Sequence, residues 1–262
     1  MSESISSIKN KYKEISFPIM KYDEEKAALQ RFIEEYCDDE RSGVQSIINS
    51  ANKRIASIDK EIARVTGMTG YERKYASEYQ FIAGVDEVGR GPLAGPIVTA
   101  AVILPPGLII PYLNDSKQVN EKKREELFDI INEVAVSVCV GIRTEKEIDE
   151  FGIGHMDSAA MRDSVLGLET RPDMVLVDAF KIPELDIKQV AIVKGDTLSV
   201  SIAAASIVAK VTRDRMMEEY ALKYPEYGFD KNKGYGSAQH IEAIKKYGPT
   251  DIHRRSFIGN FV

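Results

Sequence analysis

Five short apolar runs, all beyond residue 78, do most to limit what this chain can fold into: "FIAGVDEV", "PIVTAAVIL", "AVSVCVGI" (135–142), "MVLVDAF" (174–180) and "QVAIVKG" (189–195). Each has the length and composition of a β-strand. Helical periodicity occupies 119–134, 154–168, 197–222 and 237–246. The first three runs follow one another closely, and strands and helices mix afterwards. That order predicts an α/β domain with a mixed sheet flanked by helices, not a repeating βαβ wheel.

Residues 1–75 have a different texture. "DEEKAALQRFIEEY" (23–36) sets Ala28, Phe32, Ile33 and Tyr36 near one stripe. The stretch 42–65 repeats Val44, Ile47, Ile48, Ile55, Ile58, Ile62 and Val65 at helical spacing, and Gly67 and Gly70 then punctuate. A helical N-terminal extension over 1–75 and an α/β domain over 76–262 are expected. The extension carries no strand signal and no cluster of catalytic residue types, which leaves packing or substrate grip as its roles.

The first strand-like run ends by placing two acids, Asp86 and Glu87, side by side. Neighbouring side chains of a regular strand point to opposite faces. Both carboxylates serve one site only where the strand ends or bulges, and Gly89 and Gly91 allow such a break. Two ionised carboxylates held close repel each other. A divalent cation removes that repulsion; without one, a pKa must rise. A single Asp–Glu pair is usually one buried and one solvated acid, but two more strand ends also carry acids. Asp178 closes "VLVDAF", and Asp196 follows "AIVKG". Open α/β sheets place their sites at such ends. Taken singly, Asp178 could start a turn and Asp196 could cap the helix beginning near Leu198. With Asp86 and Glu87 they make an oxygen-rich donor set suited to Mg²⁺ or Mn²⁺. The three histidines, His155, His240 and His253, lack zinc spacing. Asp214, between Arg213 and Arg215, reads as a structural ion-pair partner.

The net charge of −6 argues against a bulk nucleic-acid coat protein. An acidic middle followed by a basic tail suits a metal site beside a phosphate grip, although chance produces the same pattern. No apolar run reaches the roughly 18 residues of a membrane helix, and the N-terminus lacks a signal peptide's apolar core. Cys37 and Cys139 match no metal spacing, so a reducing, cytoplasmic setting is expected. Glycines 89, 91 and 95 are spaced one residue too far for a dinucleotide fingerprint, and neither a Walker A lysine nor a G-x-S-x-G elbow occurs.

Together these motifs resemble ribonuclease HII, the bacterial type 2 ribonuclease H. "GVDEVGRGPLAGP" carries the family's D-E-x-G-R-G signature, "NDSKQV" its D-S-K element at Asp115–Lys117, and "LVDAF" its third aspartate at Asp178. "KGDTLSVSIAAASIVAKVTRDRMM" supplies the fourth at Asp196, "NKGYGS" a tyrosine at Tyr235, and "GPTDIHRRSF" the ending. The resemblance spans residues 79–258. It implies a ribonuclease H-like fold and a metal-dependent endoribonuclease that hydrolyses the RNA strand of RNA–DNA hybrids. It also implies a nick in duplex DNA 5′ of a single embedded ribonucleotide, which begins ribonucleotide excision repair and leaves 3′-hydroxyl and 5′-phosphate ends.

By the same resemblance, Asp86, Glu87, Asp178 and Asp196 are the catalytic residues and hold two divalent ions, Mn²⁺ or Mg²⁺. Gly89, Arg90 and Gly91 read the ribose 2′-hydroxyl together with Tyr235, and Lys117 contacts a phosphate. Lys231, Lys233, Arg254 and Arg255 are weaker phosphate candidates. A monomer acting on nucleic acid, without a membrane, is expected. The extension looks like one found in some bacterial members. Two rivals remain. Ribonuclease HIII, a sibling, cuts hybrids but handles single ribonucleotides poorly; it usually lacks the G-R-G form kept by Arg90, and its extension is strand-rich. A non-catalytic nucleic-acid binding module fits poorly, because four carboxylates repel phosphates unless metals intervene.

Overall fold

The computed structural model describes residues 3–262. The chain forms two compact units. One is the chain up to Gly67 together with Ile109–Tyr112, and the other is Met68–Leu108 together with Leu113–Val262.

The first unit is built from α1 (Ile5–Glu14), α2 (Tyr22–Tyr36) and most of α3 (Ser42–Met68). The Ser4 hydroxyl accepts the Ser7 N–H and so starts α1. Ile8, Leu29, Phe32, Tyr36, Val44, Ile48 and Ala51 are buried against one another. On α2 the inward stripe runs through Leu29, Phe32 and Tyr36, whereas Ala28 is only half-buried. Phe32 and Tyr36 are in the buried cluster as expected and Ile33 packs against it, so the face is the expected one; Leu29 takes the place of Ala28, since the larger side chain removes more apolar area from water.

The second unit opens with α4 (Gly70–Tyr75). It continues through β1 (Ile82–Val88), β2 (Ile97–Ile103), α5 (Glu121–Val134), β3 (Ser137–Arg143), α6 (Glu145–Phe151) and α7 (Ile153–Leu166). Then come β4 (Met174–Asp178), β5 (Lys188–Ile192), α8 (Val200–Lys223), α9 (Phe229–Asn232), α10 (Ala238–Tyr247) and α11 (Arg255–Ile258). All five apolar runs are strands of one mixed sheet, ordered β3-β2-β1-β4-β5. The pairs β1–β2 and β2–β3 are antiparallel, while β1–β4 and β4–β5 are parallel. The periodicity reading missed α6. Its start is marked by a Thr144–Glu147 capping box, a signal present in "TEKE".

Each face of the sheet is covered by a helix. Ala83, Val85, Val175 and Val177 pack with Met161 and Val165 of α7. Ile82, Met174 and Leu176 pack with Ile202 of α8. A Cβ at Gly84 would lie 2.0 Å from the Ser201 carbonyl carbon, so the backbone of α8 rests directly on β1. Strand alternation then aims Asp86 and Asp178 toward the α8 face and Glu87 toward the α7 face. Ser199 caps α8, so Asp196, in the one-turn helix Gly195–Thr197, does not. Glu72 of α4 braces that cap, accepting the Ser199 hydroxyl and the Ser201 N–H. Among the described residues, no helix is long and apolar enough to cross a membrane.

Candidate metal centre and substrate loop

The parallel pairing sets Val85 opposite Val177, so Asp86 and Asp178 follow as neighbours at the carboxyl ends of two adjacent central strands. One carboxylate oxygen from each of Asp86, Glu87 and Asp178 lies within 4.8 Å of the others. Glu87 joins the group despite its opposite facing because the strand ends one residue later and Gly89 turns the chain at φ 102°. Asp86 Oδ1 accepts the Glu87 N–H at 2.8 Å, and Asp178 Oδ1 accepts the Gly195 N–H at 2.7 Å. Ala179 and Lys194, near these acids, both hold left-handed backbone, a conformation that side-chain-bearing residues keep only when the surroundings enforce it.

Burial, followed by the charges of Glu87 and Asp178, pushes the Asp86 carboxyl well above its usual range. Glu87 is pushed up to about 7, first by burial and then by Asp157. Asp196 stands outside the three-carboxylate group but beside it. Burial, then the charges of Asp115 and Asp178, raise it to about 6. A crowded, anionic, all-oxygen set of this kind fits a hard divalent cation, which relieves the repulsion that protonation otherwise must.

Asp157 is a site residue that the sequence reading does not single out. It lies on the buried face of α7, 6 % exposed, with Oδ2 3.3 Å from Arg90 Nε. Its Oδ1 is buried without a hydrogen-bond partner among the described residues, and burial pushes its carboxyl up to about 6. The one available signal was an acid set among the small and apolar residues of "HMDSAAM".

Two fully buried arginines lie beneath the Gly89–Pro96 segment. Arg254 donates to the carbonyls of Gly89 (2.6 Å), Arg90 (3.1 Å) and Gly95 (2.8 Å). Arg213 donates to Pro96 (2.9 Å), Ala94 (3.1 Å) and Lys233 (2.8 Å). Arg254 is therefore corrected from a phosphate candidate to an internal support: its donors are spent on backbone. Lys233 is likewise engaged, 2.6 Å from Glu218, whereas Lys231 and Arg255 are exposed.

Tyr235 is exposed, with its ring against Gly91. Lys117 is exposed on a one-turn helix whose cap, Asp115, accepts the Lys117 N–H. Burial lowers the Lys117 ammonium, but Asp115, Asp86 and Asp196 outweigh it and raise its pKa, which marks it as a neighbour of the acids. Asp214 is an ion-pair partner as expected, though of Lys210 (2.6 Å) and Arg124 (3.7 Å) and not of the arginines flanking it.

The family model for ribonuclease HII matches residues 83–260, and that for the ribonuclease HII N-terminal domain matches residues 4–76. A ribonuclease HII from Acetivibrio thermocellus is 52 % identical over 220 residues, which cover 84 % of this chain and 86 % of its own. Another from Clostridium beijerinckii is 46 % identical over 261 residues, covering 98 % of this chain and 95 % of its own. Among solved structures, ribonuclease H2 from Pyrococcus horikoshii OT3 is similar with a TM-score of 0.58 and 30 % identity, covering 69 % of this chain and 98 % of its own. The mixed sheet and its flanking helices are ribonuclease H-like.

Proposed function

The chain belongs to the ribonuclease HII family and is a metal-dependent endoribonuclease, and we propose that it hydrolyses the RNA strand of RNA–DNA hybrids and nicks duplex DNA 5′ of a single embedded ribonucleotide. One observation carries this proposal: three carboxylates lie within 4.8 Å of one another, two of them, Asp86 and Glu87, on the strand that runs directly into the Gly89–Arg90–Gly91 loop and the third, Asp178, at the end of the neighbouring strand, with Tyr235 over the loop. Cleavage chemistry and a reader of one sugar are thus three residues apart.

Asp86, Glu87, Asp178 and Asp196 would hold two Mn²⁺ or Mg²⁺ ions, which when bound supply an activated water and charge neutralisation at the leaving 3′-oxygen. The protein's part is to hold these acids in place. Gly195 fixes Asp178, and the Glu87 amide fixes Asp86. RNA differs from DNA at a 2′-hydroxyl that both donates and accepts. The glycine-flanked turn lets backbone groups approach that hydroxyl, while Tyr235 bonds it and packs on the next deoxyribose. Lys117 meets a nearby phosphate. The enzyme would act as a cytoplasmic monomer, with residues 1–75 as an extension to the catalytic domain 76–262.

The test is a labelled DNA duplex containing one ribonucleotide, incubated with Mg²⁺ or Mn²⁺, beside an all-DNA duplex and a chelator lane. A single metal-dependent nick on the 5′ side of the ribonucleotide is expected. Cleavage of a longer hybrid without that nick would point to the ribonuclease HIII type of specificity, and cleavage of neither to a binding module.

A further inference from the structure

Two histidines lie buried behind the face that presents Tyr235, 0 % and 2 % exposed, and neither enters the function proposed above. His240 sits in the first turn of α10 and His253 follows the Thr250 turn. Their Nε2 atoms are 3.0 Å apart. His253 Nδ1 is 2.9 Å from the Thr250 amide, and His240 Nδ1 is 2.8 Å from the Tyr235 carbonyl oxygen.

These contacts admit one arrangement of protons. The Thr250 amide can only donate, so His253 Nδ1 is bare and its proton is on Nε2. That proton points at His240 Nε2, which must therefore be bare. The His240 proton is then on Nδ1, where the Tyr235 carbonyl accepts it. Burial holds both rings neutral: it lowers the His240 pKa, and burial first, then the repulsion that a second proton on His240 would exert, drives His253 down to about 4. Tyr227 and Phe229 pack against His240 in T-shaped contacts, at ring centroid distances of 6.3 and 5.2 Å.

We propose that His240, locked in its Nδ1–H tautomer by His253, is a positioning residue for Tyr235, fixing the backbone from which that ring reaches over Gly91. This rests on Tyr235 being the group that recognises the ribose. The backbone on either side of His253 pairs with the segment that follows the Gly89–Gly91 loop: the Gly95 N–H donates to the Ile252 carbonyl and the Arg254 N–H to the Leu93 carbonyl, around the isolated Ala94–His253 bridge. The histidine pair is thus anchored on one side to the Tyr235 carbonyl and on the other to the strand-like segment beyond the loop.

Two measurements on the full chain test it. Long-range proton–nitrogen NMR at neutral pH should find His240 protonated at Nδ1 and His253 at Nε2; with only three histidines in the chain, assignment is direct. The opposite tautomers, or averaging between them, would overturn the relay. The second is a double-mutant cycle on single-ribonucleotide nicking. His240→Phe should lower kcat/KM about tenfold, the scale of one lost hydrogen bond, with hybrid cleavage less affected. His240→Asn, whose amide can donate in place of Nδ1, should recover most of it. In a Tyr235→Ala background, His240→Phe should cost nothing further. Additive losses would overturn the proposal. If His240→Phe fails to fold, His253→Met against His253→Gln, which keeps an acceptor and a donor in line, asks the same question; equal activities would overturn it. A Tyr235→Ala variant as active as wild type would overturn the Tyr235 assignment itself, and the relay with it.

Discussion

The ring of Tyr235 lies against the backbone of Gly91: a Cβ at Gly91 would stand 3.8 Å from Tyr235 Cε1. That is ordinary van der Waals contact, and Gly91 does not use left-handed backbone. Gly91→Ala should therefore fold normally, whereas Gly91→Val, with a branched side chain, should displace the ring. Gly89 differs, with φ at 102° and a Cβ that would fall 2.5 Å from Arg213 Nε. Gly89→Ala should cost about 1–3 kcal/mol of stability. Urea unfolding and nicking assays on all three variants check this. Equal stability losses at positions 89 and 91 would contradict it.

Asp178 separates geometry from charge. An asparagine there can still accept the Gly195 N–H through its carbonyl oxygen, so the loop should stay in place. The negative charge that would hold a cation is lost. Asp178→Asn should keep the wild-type unfolding temperature, or exceed it without metal, while turnover drops by several orders of magnitude. Near wild-type rates with either Mg²⁺ or Mn²⁺ would remove Asp178 from the metal site.

The raised carboxyls make the metal-free protein pH-sensitive. Glu87 is held at about 7 in the fold against an ordinary 4.5. A carboxyl raised by folding contributes stability that is complete below its unfolded pKa and is lost as pH rises through the folded one. Asp196 and Asp157, each near 6, act in the same direction. Without metal, stability should therefore decline from about pH 4.5 to pH 7 through these groups. Mn²⁺ should restore it, because it replaces the protons. Thermal unfolding with and without Mn²⁺ should show a larger metal increment at about pH 8 than at about pH 5, each kcal/mol being worth about 2–4 °C for a chain of this size. Equal increments at both values would mean the acids do not release protons to bind the cation.

What was legible in the sequence follows from what each signal encodes. The five strands could be read because burial on both faces demands continuous apolar runs, and three strand-end acids could be read because they interrupt that demand. Asp157 could not, because its meaning comes from topology. Only when α7 packs on the face to which Glu87 points does an acid in "HMDSAAM" become part of the site. Arg254 was misread for a related reason: "HRRSF" displays two charges but not that one is wholly buried and the next exposed. The α2 stripe kept Phe32, Ile33 and Tyr36 and exchanged only Ala28 for the neighbouring Leu29, because periodicity fixes a face but does not weigh side-chain size.

Those adjacent arginines should behave in opposite ways. Arg254 spends its guanidinium on three backbone carbonyls, of Gly89, Arg90 and Gly95, in a site closed to water. Arg254→Met would leave those carbonyls buried and unpaired, each at a cost of about 1–3 kcal/mol. The loop should then open, with faster amide exchange at residues 89–95. Arg254→Lys should rescue little, since one ammonium on a flexible stem cannot span the three acceptors that the planar fork reaches. Arg255 is exposed, and Arg255→Ala should change stability by less than about 0.5 kcal/mol. If Arg255 meets a phosphate, its loss should raise KM and flatten the salt dependence of binding. The decisive comparison is unfolding free energy against KM for the two sites. An Arg254→Met protein of wild-type stability with only a raised KM would return Arg254 to the phosphate contacts and remove the support assigned to it beneath the loop.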